Sequence, residues 1–343
     1  MPRVLITGAA GFIGMHTSVR FIKEDWDVVG LDNFNDYYSV ELKRDRVKEV
    51  QSIAKNLHKE FRLIEADLNS DVWKELGLLD FDAVIHLAAQ AGVRYSITNP
   101  KAYLESNILG FQRVLDFIAN KRITRFLYAS SSSVYGKNSK QPFDESQACD
   151  EPESYYAATK RSNELMAHSY FKTKSVTSIG LRFFTVYGPW GRPDMAPMLF
   201  LSAAFENKTI KVFNYGKHRR DFTYIDDIVE GIIRVLDRPA TPNPEWDSDN
   251  PDPATSKAPY RVYNIGNNNP VKLSRFIKAI EKSTGLKALK NNMPMQAGDV
   301  PITYADVDDL IFDVGFKPET SIEDGIEKFV KWYLKFFKIP NKI

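Results

Sequence analysis

Val4-Leu-Ile-Thr7-Gly8-Ala-Ala-Gly11-Phe12-Ile13-Gly14 decides how the first half of this 343-residue chain folds. Val4–Thr7 is a short apolar run and reads as a strand. Three glycines at G-x-x-G-x-x-G spacing follow and open a helical stretch. Glycine permits a tight turn, and its missing side chain lets backbone N–H groups approach a pyrophosphate. The N-terminus of the following helix then faces the phosphates with partial positive charge. The spacing is not the standard G-x-G-x-x-G, so an ordinary glycine-rich turn is the plain alternative.

Working outward, short apolar runs alternate with amphipathic stretches over the first 180 or so residues. Further strand candidates are 27–31, 61–64, 83–87, 125–129 and 176–181. Several are apolar almost throughout, as parallel strands buried on both faces should be. The clearest helix runs from Pro100 to about Asn120. Leu104, Ile108, Phe111, Leu115 and Ile118 make one apolar stripe, with Asn99 as N-cap and Pro100 at the first helical position. The alternation predicts an α/β fold with a Rossmann-type doubly wound parallel sheet.

After Phe183 the pattern loosens. Short strands at 210–213, 222–224 and 262–265 mix with helices near 197–207, 226–237, 274–283 and 322–336. The expected division is a cofactor domain over 1–183 and a smaller mixed α/β lobe over 184–343 that binds substrate, with segments crossing back to the sheet. Residues 238–259 hold six of the chain's 18 prolines among Asp, Asn and Ser, which predicts a long, mobile surface loop.

Composition narrows the function classes. Hydrophobic residues at 43% and charged residues at 26% are ordinary for a globular protein. A net charge of +2 gives no basic field for nucleic acid or an anionic membrane. Cys149 is the one cysteine, so no intramolecular disulfide can form, which fits a reducing compartment. The five histidines lack metal-ligand spacing, and no metal is expected. No apolar run of about 18 residues suggests a spanning helix. The first strand begins at Arg3 or Val4, leaving no room for a signal peptide, and a cytoplasmic location is expected.

Two further features sharpen the cofactor reading. Asp32 ends the second strand, where a carboxylate accepts hydrogen bonds from a ribose hydroxyl pair and repels a 2′-phosphate. Asn33 and Phe34 offer no cation for that phosphate, so NAD is expected over NADP. Asp67, ending the third strand, is either a partner for the adenine edge or a solvated loop aspartate. Tyr156-Ala-Ala-Thr-Lys160 puts a phenol and an amine on one helix face. A free phenol titrates near pH ~10. A nearby ammonium and a cationic nicotinamide ring would stabilise the phenolate and bring Tyr156 toward its range as a general base. Upstream, the run Ser130–Ser133 sits at a strand end, where a hydroxyl can bridge substrate and phenol.

The glycine loop, Asp32-Asn33-Phe34, His86-Leu-Ala-Ala-Gln90, Asn107, the serine run and Tyr156-x-x-x-Lys160 together resemble the extended short-chain dehydrogenase/reductases, over nearly the whole chain. Segments 32–38, 91–96, 181–195, 212–216, 220–226 and 298–301 are similar to members that epimerise UDP-hexuronates. The resemblance implies a UDP-sugar substrate, bound NAD and C4 epimerisation of UDP-glucuronate to UDP-galacturonate through a transient 4-keto sugar. It implies a Ser131, Tyr156 and Lys160 catalytic set, with Ser133 beside it and the choice of serine open. Asn107 would support the lysine through the backbone or a water, and Phe184 would flank the nicotinamide. Phe12, Ile13, Leu68, Leu87, Ala88 and Ala89 would complete the cofactor site. Arg220 would meet the diphosphate, Asp299 the uridine ribose, and the backbone at Val212 and Phe213 the uracil. Without the resemblance, Arg220 reads as a solvated member of Lys217-His218-Arg219-Arg220. The resemblance also implies a homodimer and a product used in surface polysaccharide.

Chemistry then separates the related activities. A ketone at C4 of a hexuronate is β to the C6 carboxylate, so carbon dioxide is easily lost. An epimerase must hold that carboxylate against cleavage. Arg192, with Thr185 and Ser133, is the candidate clamp, because guanidinium grips carboxylate at two points. Arg192 also reads as a loop arginine tethered to Asp194, and Arg94 is a second candidate for the sugar or its carboxylate. Related dehydratases and decarboxylases place a carboxylate before Val-Tyr-Gly. Here Ser133 precedes Val134-Tyr135-Gly136, which favours epimerisation. The alternatives are a UDP-glucuronate decarboxylase, another nucleotide-sugar epimerase or dehydratase, and a silent NAD-binding regulator.

Overall fold

The computed structural model describes residues 1–295 and 300–340. The strands are β1 (Arg3–Thr7), β2 (Asp27–Asp32), β3 (Phe61–Glu65), β4 (Ala83–His86), β5 (Arg125–Ser131), β6 (Ser178–Phe183), β7 (Thr185–Tyr187), β8 (Thr209–Val212), β9 (Arg219–Tyr224), β10 (Tyr260–Ile265), β11 (Pro270–Lys272) and β12 (Leu289–Asn292). The helices are α1 (Phe12–Lys23), α2 (Val40–Asn56), α3 (Val72–Leu76), α4 (Tyr95–Thr98), α5 (Pro100–Tyr103), α6 (Gly110–Lys121), α7 (Tyr155–Lys174), α8 (Ala196–Phe205), α9 (Ile225–Leu236), α10 (Leu273–Thr284), α11 (Asp308–Val314) and α12 (Ile322–Phe336).

One parallel sheet runs in the order β3-β2-β1-β4-β5-β6-β10. Alternate residues of its strands enter opposite cores. Val4, Ile6, Val28, Ile85 and Leu127 face one cluster, while Leu5, Val29, Val84, Phe126 and Tyr128 face the other. This is the expected doubly wound α/β fold. Strand order reverses between β1 and β4, so their C-terminal ends flank the crevice where such sheets take ligands. Beside it, β7, β9 and β11 form a small sheet and β8 pairs with β12. β10 follows the lobe's strands in sequence yet pairs with β6 in the main sheet.

Two local expectations are corrected. The helix over 100–120 is interrupted by a π-helical turn at Leu104–Leu109 between α5 and α6. A π-turn takes up an extra residue and rotates the faces. Phe111, Leu115 and Ile118 are buried, but Leu104 leaves the stripe for solvent. Asn99 holds the N-cap position before Pro100, but its side chain makes no cap bond; its amide donates to the Tyr95 hydroxyl instead. Residues 238–259 form the expected surface loop, without helix or strand, and its second half packs back onto the protein. Asn243 N–H donates to Ser256 O and Val262 N–H of β10 to Ala254 O, with Ala254 and Ala258 buried against the sheet. The segment thereby covers the outer edge of the last strand. Its prolines obscured the small apolar residues that pack.

Candidate active site

The glycine loop forms as read, and two glycines show why. Gly8 has φ +72°, and a Cβ there would sit 2.7 Å from Ala88 N. At Gly14 a Cβ would lie 2.1 Å from Gly8 O, inside backbone. The loop can therefore press against the end of β4 only without side chains. No side chain caps α1, which leaves its first-turn N–H groups to a ligand.

Asp32 closes the next strand. Its Oδ2 accepts from Ala10 N–H at 3.0 Å and Oδ1 from Phe34 N–H at 2.9 Å. Burial raises its pKa, against those N–H groups and the cations Lys43 and Arg46. These cations were missed from sequence, because they come from α2 rather than from the residues after Asp32. They are already engaged: Lys43 on Asn35 and Arg46 on the carbonyls of Ala10, Trp190 and Gly191. Arg44 of the same helix forks onto Glu65. Asp67 accepts from Asn33 at 2.8 Å.

α7 starts at the Ser154 N-cap, whose hydroxyl accepts from Ala157 N–H at 3.1 Å. That cap fixes the first turn and with it Tyr156; Lys160 follows one turn on. Lys160 Nζ donates to Ala129 O of β5 at 2.9 Å. Burial lowers its pKa to about 8, opposed by Glu164, so it is mainly an ammonium at neutral pH. Burial raises the Tyr156 pKa, and the Ser131 hydroxyl and Arg192 lower it only in part. In the chain alone the phenol stays protonated.

Strand alternation splits the serine run. Ser131 Oγ lies 2.7 Å from Ser133 Oγ, on the side of Tyr156. Ser130 points the other way and donates to Glu164 at 2.6 Å. Glu164 is itself forked by buried Arg182. Asn107, carried by the π-turn, binds the Gln90 backbone N–H and C=O and the Thr159 hydroxyl, with no direct bond to Lys160.

One cavity brings most of these groups together. Gly8, Gly11, Phe12, Ile13, Asp32, Asn33, Asp67, Leu68 and Leu87–Ala89 line one part. Ser131, Ser133, Tyr156, Lys160, Phe184, Thr185 and Arg192 line the rest. Gly14, Asn107, Arg94, Val212, Phe213 and Arg220 are not in its wall. Arg94 lies over the Phe213 ring at 5.5 Å, and Arg220 donates to the carbonyls of Arg219 and Pro301. Asp299 lies outside the described residues. Sequence reading missed Tyr37, Arg46, Glu164 and Arg182; only Glu164, one turn beyond Lys160, left a spacing signal. Among the described residues no His, Cys, Asp or Glu group could hold a metal ion, and no helix is long and apolar enough to cross a membrane.

Comparison with known proteins places these features in context. The model of the NAD dependent epimerase/dehydratase family matches residues 4–266. Protein CapI of Staphylococcus aureus is 53% identical, over 98% of this chain and 99% of that protein. A probable UDP-glucuronate 4-epimerase of Rhizobium meliloti is 44% identical, over 96% of each. The crystal structure of UDP-glucuronic acid 4-epimerase from Bacillus cereus, in complex with UDP-glucuronic acid and NAD, superposes with TM-score 0.83 at 32% identity. It covers 97% of this chain and 99% of that one.

Proposed function

The chain belongs to the NAD dependent epimerase/dehydratase family, and from that premise we infer that it interconverts UDP-glucuronate and UDP-galacturonate by NAD-dependent epimerisation at C4. One observation carries this reading: Ser131, Tyr156, Lys160 and Arg192 wall the same cavity as the glycine loop and Asp32.

The residues fit NAD. The glycine loop leaves room for a pyrophosphate, and Asp32 holds a carboxylate for a ribose diol. Bound there, NAD would supply the hydride acceptor and donor for C4, by way of a transient ketone on the sugar. Tyr156 takes the proton of the 4-hydroxyl and gives it back to the ketone oxygen. The Ser131 hydroxyl lies beside the phenol and is placed to bridge it to that hydroxyl. Lys160 supplies positive charge from the same helix face. It is anchored on Ala129 O, so the charge cannot swing away. Lowering the phenol pKa by about three units takes roughly 4 kcal/mol of differential stabilisation. Burial in the chain alone works against that, so most of it must arrive with the bound ligands.

Arg192, Thr185 and Ser133 hold the hexuronate carboxylate out of line for cleavage. No Asp or Glu lies in the 130–133 run, which supports epimerisation over dehydration or decarboxylation. The nucleotide is assigned to Val212, Phe213, Arg220 and Asp299, with Arg94 near its sugar. A homodimer is part of the proposal: Ile97, Leu104 and Leu109 along the α4–α6 segment and Tyr155 and Leu165 on α7 are exposed apolar residues. A cytoplasmic location and a product used in surface polysaccharide complete it.

Incubating the protein with UDP-glucuronate and following the products by NMR tests the reading. UDP-galacturonate is the expected product. UDP-xylose or its 4-keto form as the main product would replace it with a decarboxylase. No turnover at all would favour a binding protein.

A further inference from the structure

We propose that Asp194, steadied by Tyr37, is the positioning residue that aims Arg192 at the substrate carboxylate; the assignment rests on the C4-epimerisation reading. Asp194 Oδ1 lies 3.0 Å from Arg192 Nε, and Oδ2 lies 2.5 Å from Nη2. A guanidinium has two forks, one side-on through Nε and Nη2 and one end-on through Nη1 and Nη2. Asp194 fills the side-on fork. The end-on fork makes no hydrogen bond to the described residues, and Arg192 lines the cavity while Asp194 does not. The acid therefore stands behind the guanidinium and leaves a second two-point grip for a carboxylate arriving from the cavity.

The support around the pair is rigid. Tyr37 O–H donates to Asp194 Oδ2 at 3.2 Å, and the Tyr37 ring lies 4.8 Å from that of Tyr95. The backbone just before Arg192 is pinned as well. Arg46 donates to Trp190 O at 2.7 Å and Gly191 O at 3.2 Å, and the His16 ring bonds Pro189 O at 3.0 Å. With the backbone fixed, the remaining freedom is in the long Arg192 side chain. Asp194 removes it before substrate arrives, so less ordering is left for binding to offset.

The orientation matters for the chemistry. In the 4-keto sugar, the C5–C6 bond breaks when it aligns with the ketone π system. Its electron pair enters the C4–C5 enolate, carbon dioxide leaves, and a proton then adds at C5. No further oxidant or reductant is needed once the ketone has formed. An Arg192 that can pivot lets the carboxylate reach that alignment.

The test uses the full chain with NAD, comparing wild type, Asp194→Asn and Tyr37→Phe. Calorimetry gives the Kd of UDP and of UDP-glucuronate, and NMR gives the UDP-4-keto-pentose fraction formed from UDP-glucuronate. Asp194→Asn is expected to weaken UDP-glucuronate tenfold or more with UDP changed less than twofold, and to raise the 4-keto-pentose fraction. Tyr37→Phe should show the same pattern, about threefold. Tighter or unchanged UDP-glucuronate binding, equal losses for UDP and UDP-glucuronate, or an unchanged product fraction would each overturn the proposal. Failure of the epimerase reading is seen separately, as a wild type that makes no UDP-galacturonate.

Discussion

Glu164 and Arg182 are joined by two hydrogen bonds of 2.9 Å, Nε to Oε1 and Nη2 to Oε2, with both side chains wholly buried. Burial alone would raise the Glu164 pKa, but Arg182, Ser130 and Arg161 hold it below the usual carboxylate range. The pair ties α7, which carries Tyr156 and Lys160, to β6, and Ser130 adds β5. The strand that offers Ser131 and the helix that offers Tyr156 are thus locked behind the cavity.

Removing one partner should be costly, because the other charge stays buried. Glu164→Gln is expected to lower stability by about 3–5 kcal/mol. Urea unfolding followed by circular dichroism measures it. A loss under about 1 kcal/mol would mean that the pair contributes little.

Tyr156→Phe deletes the proton shuttle and keeps the ring. Its ring stands 6.0 Å from that of Tyr103, edge-on, a contact the substitution preserves. Turnover should fall by about 10²–10⁴-fold. NAD content and UDP-glucuronate binding should stay within a few-fold of wild type. Retained activity would remove Tyr156 from the catalytic set.

His86 sets a pH dependence of stability. It lies beneath the cavity, 2.8 Å from Thr7 Oγ1, and burial followed by the Lys160 charge lowers its pKa to about 3. The unfolded chain binds a proton near pH ~6.5 that the folded chain refuses. Stability contributed by this group is therefore present above about pH 6.5 and is lost as pH falls toward 3. Compared with His86→Asn, wild type should lose about 1.4 kcal/mol per pH unit between pH 6 and 4. Urea midpoints at pH 7, 6, 5 and 4 give the difference. A constant gap between the two proteins would show that His86 titrates in the folded state.

Much of the arrangement could be read along the chain because its signals are local. The glycine loop needs only a turn and a helix start. Val4–Thr7 and the other buried strands announce themselves by continuous apolar character. Tyr156 and Lys160 share a face whatever surrounds them. The π-turn at Leu104–Leu109 was hidden, since one inserted residue leaves the flanking apolar spacing nearly helical. Residues 238–259 read correctly as a surface loop, but proline and acidic residues dominate the composition and hid the packing of Ala254 and Ala258.

The sequence by itself determined the fold class, the cofactor loop, Asp32 and the phenol–amine pair, because turn geometry and helical or strand periodicity involve residues close together in the chain. Only the tertiary structure decided that Ser131 faces Tyr156 while Ser130 turns to Glu164. It put Arg192, and not its sequence neighbour Asp194, in the cavity wall and brought Arg46 from α2 to hold that loop. It also set the local electrostatics: burial raises the phenol and lowers the lysine. Desolvation and charge pairing act between groups far apart in sequence, and their sign depends on which surfaces the fold closes over.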